Sequence, residues 1–429
     1  VPFCMRSAMN FSNNTPLLIM IAKNSVRLLA VLLLFSCAGN AQNDVKTEAI
    51  SETNQLEVKE SIRAGAENVS DYVDLLADKK VAVIGNHSSL IGETHLIDSL
   101  LSLGVDISHI YASEHGFRGH EADGVKISDE VDASTGLPIY SLYGKIKKPS
   151  PASLEGIDML IFDFQDVGVR FYTFLSTLHN IMEACAENDV SLLILDRPNP
   201  NLVAEPDGPV LDPKFSSFIG LHPVPVLHGL TIGEYGQMIN GEGWLAGGLK
   251  ADLTVIPCSN YERGDRYELP IPPSPNLPNQ KSIYLYPSLC FFEGTVVSIG
   301  RGTDYPFQVI GHPEFKTGSY SFTPQPNSGS KYPKLEDKEC YGVAMSDERA
   351  EAMRVAARLD LSLVLEFYQE LNLGEDFFRK DGYFDLLAGT DELRIQIQSG
   401  MSEEDIRASW QEDLHEYKEV RKKYLIYED

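Results

Sequence analysis

The chain has 429 residues, of which 62 are acidic and 36 are Lys or Arg, giving a formal net charge of −26. That balance excludes a nucleic-acid partner, because neutralising a phosphate backbone needs clustered cations, and any acidic ligand must be met by a few specifically placed ones. A hydrophobic content of 43% fills ordinary cores over a length that allows two domains, so disorder is not the expectation.

The stretch MIAKNSVRLLAVLLLFSC (20–37) puts Lys23 and Arg27 ahead of an apolar run that ends at a cysteine, the pattern of a secretory signal. Its run from Leu28 to Phe35 is shorter than the roughly 20 apolar residues a permanent membrane helix needs. Leu34-Phe35-Ser36-Cys37 resembles a lipobox, with Phe35 bulkier than usual two residues before the cysteine, so Cys37 is the expected lipidation site. Met20 is the expected start, and 1–19 read as an over-extended beginning. The polar stretch from 38 to about 60 reads as a tether. The later cysteines, 185, 258, 290 and 340, lack the close pairing of a zinc site. Cys185 falls in an apolar helical pattern and is expected as a buried thiol.

From about residue 60 to 200, strand and helix patterns alternate. KKVAVIGN (79–86), ISHIYAS (107–113), GIDMLIFDFQD (156–166) and VSLLILDRPNP (190–200) are short, nearly continuous apolar strands, with helices expected over 94–104 and 173–188. Such alternation predicts a parallel sheet covered on both faces, a Rossmann-like α/β layout. The turn after the first strand reads GNHSSLIGE, without G-x-G-x-x-G, and no P-loop is present, so no nucleotide cofactor is expected. Residues 257–283 hold six prolines and read as a segment crossing between two lobes. FFEGTVVSIGRGTDYPFQVIG (291–311) reads as strand-like with a polar loop. Residues 346–371 and 402–427 read as helical, with Ile406, Trp410, Leu414 and Tyr417 on one packing face.

Ligands of open parallel sheets bind beyond the carboxyl ends of the strands. Four strands end there in polar groups: Asn86 and His87; Glu114 and His115; Asp163, Gln165 and Asp166; Asp196 and Arg197. A carboxyl partly desolvated at a cleft floor, such as Glu114 before Gly116 and Gly119, gains the raised pKa of a general acid. FDFQDVGVRFYTF (162–174) adds Arg170 and Tyr172. HGLTIGEYGQMIN (228–240) places Thr231 and Glu234 in capping-box spacing, a structural account of Glu234 that ranks it below Glu114. Glu293, Arg301 and Asp304 are the candidates of the second half, where Arg301 can fork onto a carboxylate. Scattered histidines, including His115 and His120, raise a zinc alternative, but neither H-E-x-x-H nor a dense cluster occurs and no metal is expected. No G-x-S-x-G or S-x-x-K appears. Acids, amides, aromatics and a few arginines suit a polyhydroxylated sugar, and glycoside hydrolysis uses carboxyl groups around an oxocarbenium-like transition state.

As a set, ASEHGFRG, FDFQDVGVRFYTF, LDRPNP, HGLTIGE, YPSLCFFEGTVVSIGRGTDYPF and FDLLAGTDELR (384–394) resemble the exo-β-N-acetylmuramidases of the NamZ type, from about residue 78 to the end of the chain. The resemblance implies a Rossmann-like catalytic domain (61–282), a smaller C-terminal α/β domain (283–429) and a cleft between them. It also implies release of terminal N-acetylmuramic acid from the non-reducing ends of peptidoglycan fragments, without metal or nucleotide. Carried over, Glu114, His115, Asp163 and Asp166 are the expected catalytic groups. Asn86, Arg118, Gln165, Arg170, Tyr172, Glu234, Glu293, Arg301 and Asp304 are the expected substrate contacts. Asp163 and Asp166 stay open as the second catalytic group, and retaining, inverting and substrate-assisted outcomes stay open with them. The turn at His87 and Ser88 departs from the threonine-glycine turn expected in relatives. A diderm bacterial envelope protein anchored to a membrane through Cys37 is expected, with muropeptides or disaccharides as partners and no particular oligomeric state. A lipid-anchored muropeptide-binding protein without hydrolysis is the alternative.

Overall fold

The computed structural model describes residues 60–112, 117, 130–142, 144–201 and 205–428. The first half supplies β1 (Lys80–Gly85), β2 (Leu90–Ile91), β3 (Thr94–His95), α1 (Leu96–Ser102), β4 (Asp106–Ala112), β5 (Glu130–Val131), β6 (Pro138–Ser141), α2 (Pro151–Leu154), β7 (Met159–Asp163), α3 (Phe174–Glu187), β8 (Ser191–Leu195), β9 (Asp207–Val210), β10 (Pro225–Leu227), α4 (Ile232–Gly241) and β11 (Leu253–Ile256). The second half supplies α5 (Gln280–Leu289), β12 (Val309–His312), β13 (Tyr320–Phe322), β14 (Cys340–Ala344), α6 (Asp347–Ala356), α7 (Ser362–Leu371), α8 (Tyr383–Ala388), α9 (Glu392–Gln398), α10 (Glu403–Ser409) and α11 (Gln411–Arg421).

The main sheet has the order β11-β8-β7-β1-β4-β6-β5. Its pairings are parallel except β5 with β6 at the edge. The expected parallel α/β fold is therefore present. Alternation along each strand divides two cores. Ala82, Ile84, Leu160, Phe162, Leu192 and Ile194 face α3 and α4. Val81, Val83, Met159, Ile161, Leu193 and Leu195 face Leu96, Ile97 and Leu100 of α1. Burial on both faces is why these strands read as unbroken apolar runs.

The chain enters at β1, builds β4 and β6 on one side, then returns across β1 to lay down β7, β8 and β11 on the other. The strand order thus reverses between β1 and β7, and the crevice outside their carboxyl ends is where such sheets hold ligands.

The second half is smaller and mixed: an antiparallel sheet, β12-β14-β13, beside helices. Its core includes Phe291, Phe292, Phe367, Leu387 and Trp410, and extends without a break to Val167, Val169 and Phe171 of the first half. All these residues lie in one compact unit, Val58–Asp429. Ile406, Trp410, Leu414 and Tyr417 are buried as expected, although Trp410 ends α10 and precedes α11. The described cysteines, Cys185, Cys258, Cys290 and Cys340, are free and buried.

The strand-like expectation for 291–311 is corrected, since only Val309–His312 forms a strand there and Cys290–Gly294 is a 3-10 turn. The half-buried Lys334 donates from its ammonium to the carbonyls of Phe292, Thr295 and Val297 at 2.9, 2.5 and 3.0 Å. Three carbonyls of this segment thus converge on one cation, and its only ladder contacts before Val309 are the single bridges Thr295–Phe378 and Ser298–Gly311 among the described residues. Burial lowers the Lys334 pKa to about 8.

Candidate functional site

The turn after β1 is held by its own side chains. Asn86 Oδ1 accepts from the Ser88 N–H at 2.9 Å and the Ser88 hydroxyl at 2.6 Å, an Asx-type turn. The Ser89 hydroxyl donates to the Asp163 carbonyl at 2.6 Å, which ties this turn to the end of β7. Ser88 Oγ also lies 3.4 Å from the Gln165 N–H. His87 meets the Pro272 carbonyl at 2.8 Å, and the Tyr172 hydroxyl donates to Pro273 at 3.1 Å. The two residues that depart from the expected turn therefore organise Asn86 and Gln165 and hold the proline-rich segment over the strand ends.

Asp163 is fully buried and is clamped by Arg197, whose Nε and Nη2 donate to Oδ1 and Oδ2 at 2.5 and 2.9 Å. Arg197 Nη2 also reaches the Leu90 carbonyl at 3.1 Å. Asp196, next to it, receives the Thr231 hydroxyl, the Gly233 N–H and the Tyr427 hydroxyl, so it anchors the start of α4 and the chain end. Burial raises its pKa to about 6.

Gln165 spends its amide N–H groups on the carbonyls of Asp166 and Pro198, at 2.9 and 2.7 Å, and its Oε1 is left over. Asp166 accepts the Gly168 N–H on Oδ2 at 2.6 Å. Gly168 has φ of 79°, and a Cβ there would sit 2.0 Å from Asn199 Oδ1, so only glycine closes this turn. Burial raises the Asp166 pKa to about 7 against the opposing pull of the Gly168 and Val167 N–H groups. Among the described residues, Asn86 Nδ2, Gln165 Oε1, Asp166 Oδ1 and His228 Nε2 are buried without a hydrogen-bond partner. Buried polar atoms are normally paired, and several orphans at one switch point mark a place prepared for a ligand or water.

A pocket of about 150 Å³ is lined by Tyr172, Ser274, Asn276, Glu293, Arg301, Phe307 and Tyr383, among others. It joins the start of α3, the proline-rich segment and the second half. Arg301 donates from Nε to Glu293 Oε1 at 2.8 Å, with Nη2 2.6 Å from the same oxygen. Tyr172, Glu293 and Arg301 thus line one pocket.

Three expected substrate contacts do not line this pocket. Arg170 is buried and spends its guanidinium on the carbonyls of Pro209, Val224 and Leu387, at 2.9, 2.7 and 2.9 Å, so it joins the two halves. Glu234 is buried as the α4 capping box and also receives Arg263 and the Ile426 N–H, which fastens the chain end. Asp304 is exposed and does not line the pocket. Glu114, His115, His120, Arg118 and Cys37 lie outside the described residues. Arg197 and His228 join this cluster in the structure; in the sequence Arg197 stands out as a strand-end group, and His228 as one of the scattered histidines and the first residue of HGLTIGEYGQMIN. Among the described residues, no group of three or more His, Cys, Asp or Glu side chains could hold a metal ion.

A parallel sheet with buried, unpartnered polar groups at its switch point has the arrangement of the α/β proteins that hold a ligand in the crevice beyond the strand ends. Residues 81–281 match the family model Exo-beta-N-acetylmuramidase NamZ, N-terminal, and residues 284–427 match its C-terminal counterpart. The chain belongs to this family of glycoside hydrolases. It is 36% identical over 404 residues to the peptidoglycan beta-N-acetylmuramidase NamZ of Bacillus subtilis (strain 168), covering 87% of this chain and 93% of that one. Two crystal structures of DUF1343 family proteins from Bacteroides fragilis NCTC 9343 are also similar. One has TM-score 0.80 and 46% identity, covering 86% of this chain and 100% of that chain. The other has TM-score 0.73 and 28% identity, covering 85% and 99%.

Proposed function

We propose that this protein is an exo-acting β-N-acetylmuramidase that releases terminal N-acetylmuramic acid from the non-reducing ends of peptidoglycan fragments. The observation that carries this reading is the end-to-end similarity to the Bacillus enzyme, through both halves of the chain. In this reading Glu114 protonates the leaving oxygen, aided by His115, and Asp166 is the second carboxyl group. Its pKa near neutrality suits either proton transfer or orientation of the 2-acetamido group. Asp163 is spent on Arg197 and serves the site by holding the β1 turn.

The experiment is incubation of the purified protein with a chromogenic β-N-acetylmuraminide and with its β-N-acetylglucosaminide counterpart. Release from the muraminide alone supports the reading; silence on both favours a binding role or a larger obligatory substrate. Muramic acid carries a lactyl carboxylate, so cations must be placed locally in this acidic protein, and Arg118 and Arg301 stand in the motifs that could supply them. Arg301→Ala is expected to raise KM for the muraminide about 10- to 100-fold, the worth of a hydrogen bond to a charged group. A KM within twofold of the parent would remove Arg301 from the substrate contacts.

We further propose export and anchoring through Cys37, supported by the basic, apolar, cysteine-ended stretch at 20–37. Labelled palmitate should enter the protein in cells and fail to enter Cys37→Ser; equal labelling of both would reject the anchor.

A further inference from the structure

His228 follows β10 and is completely buried, its ring edge-on to Tyr235 with centroids 5.1 Å apart. The Leu230 N–H donates to its Nδ1 at 3.2 Å. An imidazole nitrogen that accepts cannot carry the proton, so the neutral ring carries it on Nε2. That Nε2–H has no hydrogen-bond partner among the described residues and lies 3.8 Å from Asp166 Oδ2. The other Asp166 oxygen is also unpartnered.

The surroundings fix the charge state of the ring. Burial lowers the His228 pKa to about 3, and the nearby Arg421 of α11 and Arg170 push in the same direction. Tyr235 of α4 also faces this group, since Asp166 and Arg170 are among the charges that act on its hydroxyl. Tyr417 of α11 donates to the His228 carbonyl at 2.7 Å and holds the backbone in place. Burial and the two guanidinium groups thus favour the neutral ring, whose Nε2–H can donate a hydrogen bond.

We propose that His228 is a positioning residue for Asp166: its fixed Nε2–H closes on Oδ2 when the carboxyl ionises, and so sets how readily Asp166 gives up its proton. The inference rests on the reading of Asp166 as a catalytic carboxyl. A donor that bonds only the anionic form favours that form, so removing it must raise the Asp166 pKa. The 3.8 Å separation is longer than a hydrogen bond and leaves the contact to tighten on ionisation.

The test uses the full chain labelled with aspartate carrying 13C at the carboxyl carbon, with the Asp166 resonance assigned by its loss in Asp166→Asn. His228→Phe removes the donor, His228→Met does so with a more adaptable side chain should the larger ring not fit, and His228→Gln returns an N–H. The expected result is an Asp166 midpoint at least about 0.5 pH unit higher in His228→Phe or His228→Met, with most of that shift recovered in His228→Gln. The kcat–pH profile should move upward by a similar amount, with KM changed less than about threefold. A midpoint that stays put or falls in the folded apolar variants overturns the proposal. The titration needs no substrate, so a shifted midpoint in a protein inactive on muraminides would count against the proposed hydrolase and not against this contact.

Discussion

Glu114→Gln is expected to fold like the parent protein, with the same thermal midpoint, and to lower kcat on the muraminide about 100- to 10,000-fold. That is the span general acid catalysis contributes when a sugar leaving group must be protonated. The substitution keeps size and hydrogen-bonding capacity and removes only the transferable proton. Glu114 lies two residues beyond the end of β4, the strand beside β1 on the opposite side from β7. Its neighbours in sequence, His115 and Arg118, belong to the same motif. The comparison should include a substrate with a good leaving group, which needs little protonation. Such a substrate should lose less rate in the variant than one with a poor leaving group. Activity within threefold of the parent on the poor leaving group would take the acid role away from Glu114.

The sheet was legible because its strands are buried on both faces and so are apolar throughout. Period-2 alternation is hidden in such strands, yet Val, Ile and Leu bounded by turn residues still mark them. The site was legible as a set of strand-end polar groups, since parallel strands all deliver their carboxyl ends to one edge. Which of those groups remain available was not legible. Asp163 ends β7 and Arg197 lies two residues beyond β8, 34 residues apart in sequence, and the ion pair between them exists only once β7 and β8 align. Asp196 carries the same letter as Asp166, yet it is consumed by Thr231, Gly233 and Tyr427 from distant parts of the chain. Arg170 reads as a cation in a catalytic motif and proves to bond only carbonyls, one of them 217 residues away. The 291–311 segment misleads for a related reason: its β-branched residues suggest a ladder, while Lys334, far along the chain, takes the carbonyls. Local sequence reports propensity, and these outcomes depend on partners that only tertiary folding supplies.

The Asp163–Arg197 pair leads to the largest expected change in stability. Both side chains are almost wholly buried, at 0% and 3% exposure, and the two bonds between them are parallel and charge-assisted. Taking one partner away from a buried pair leaves an uncompensated charge, which costs about 3–5 kcal/mol, whereas replacing both by apolar groups is often neutral. Arg197→Met should therefore lower the unfolding free energy by about 3–5 kcal/mol, read from urea curves by the fluorescence of Trp244 and Trp410. Asp163→Leu/Arg197→Met should recover most of that loss. Recovery of stability need not restore catalysis. Arg197 also holds the Leu90 carbonyl, and the backbone of Asp163 receives the Ser89 hydroxyl, so the clamp secures the turn that presents Asn86. The double variant should remain at least about tenfold slower than the parent, consistent with the loss of about one hydrogen bond's worth of positioning. A loss below about 1 kcal/mol in Arg197→Met, in the range of exposed pairs, would mean that water reaches the clamp.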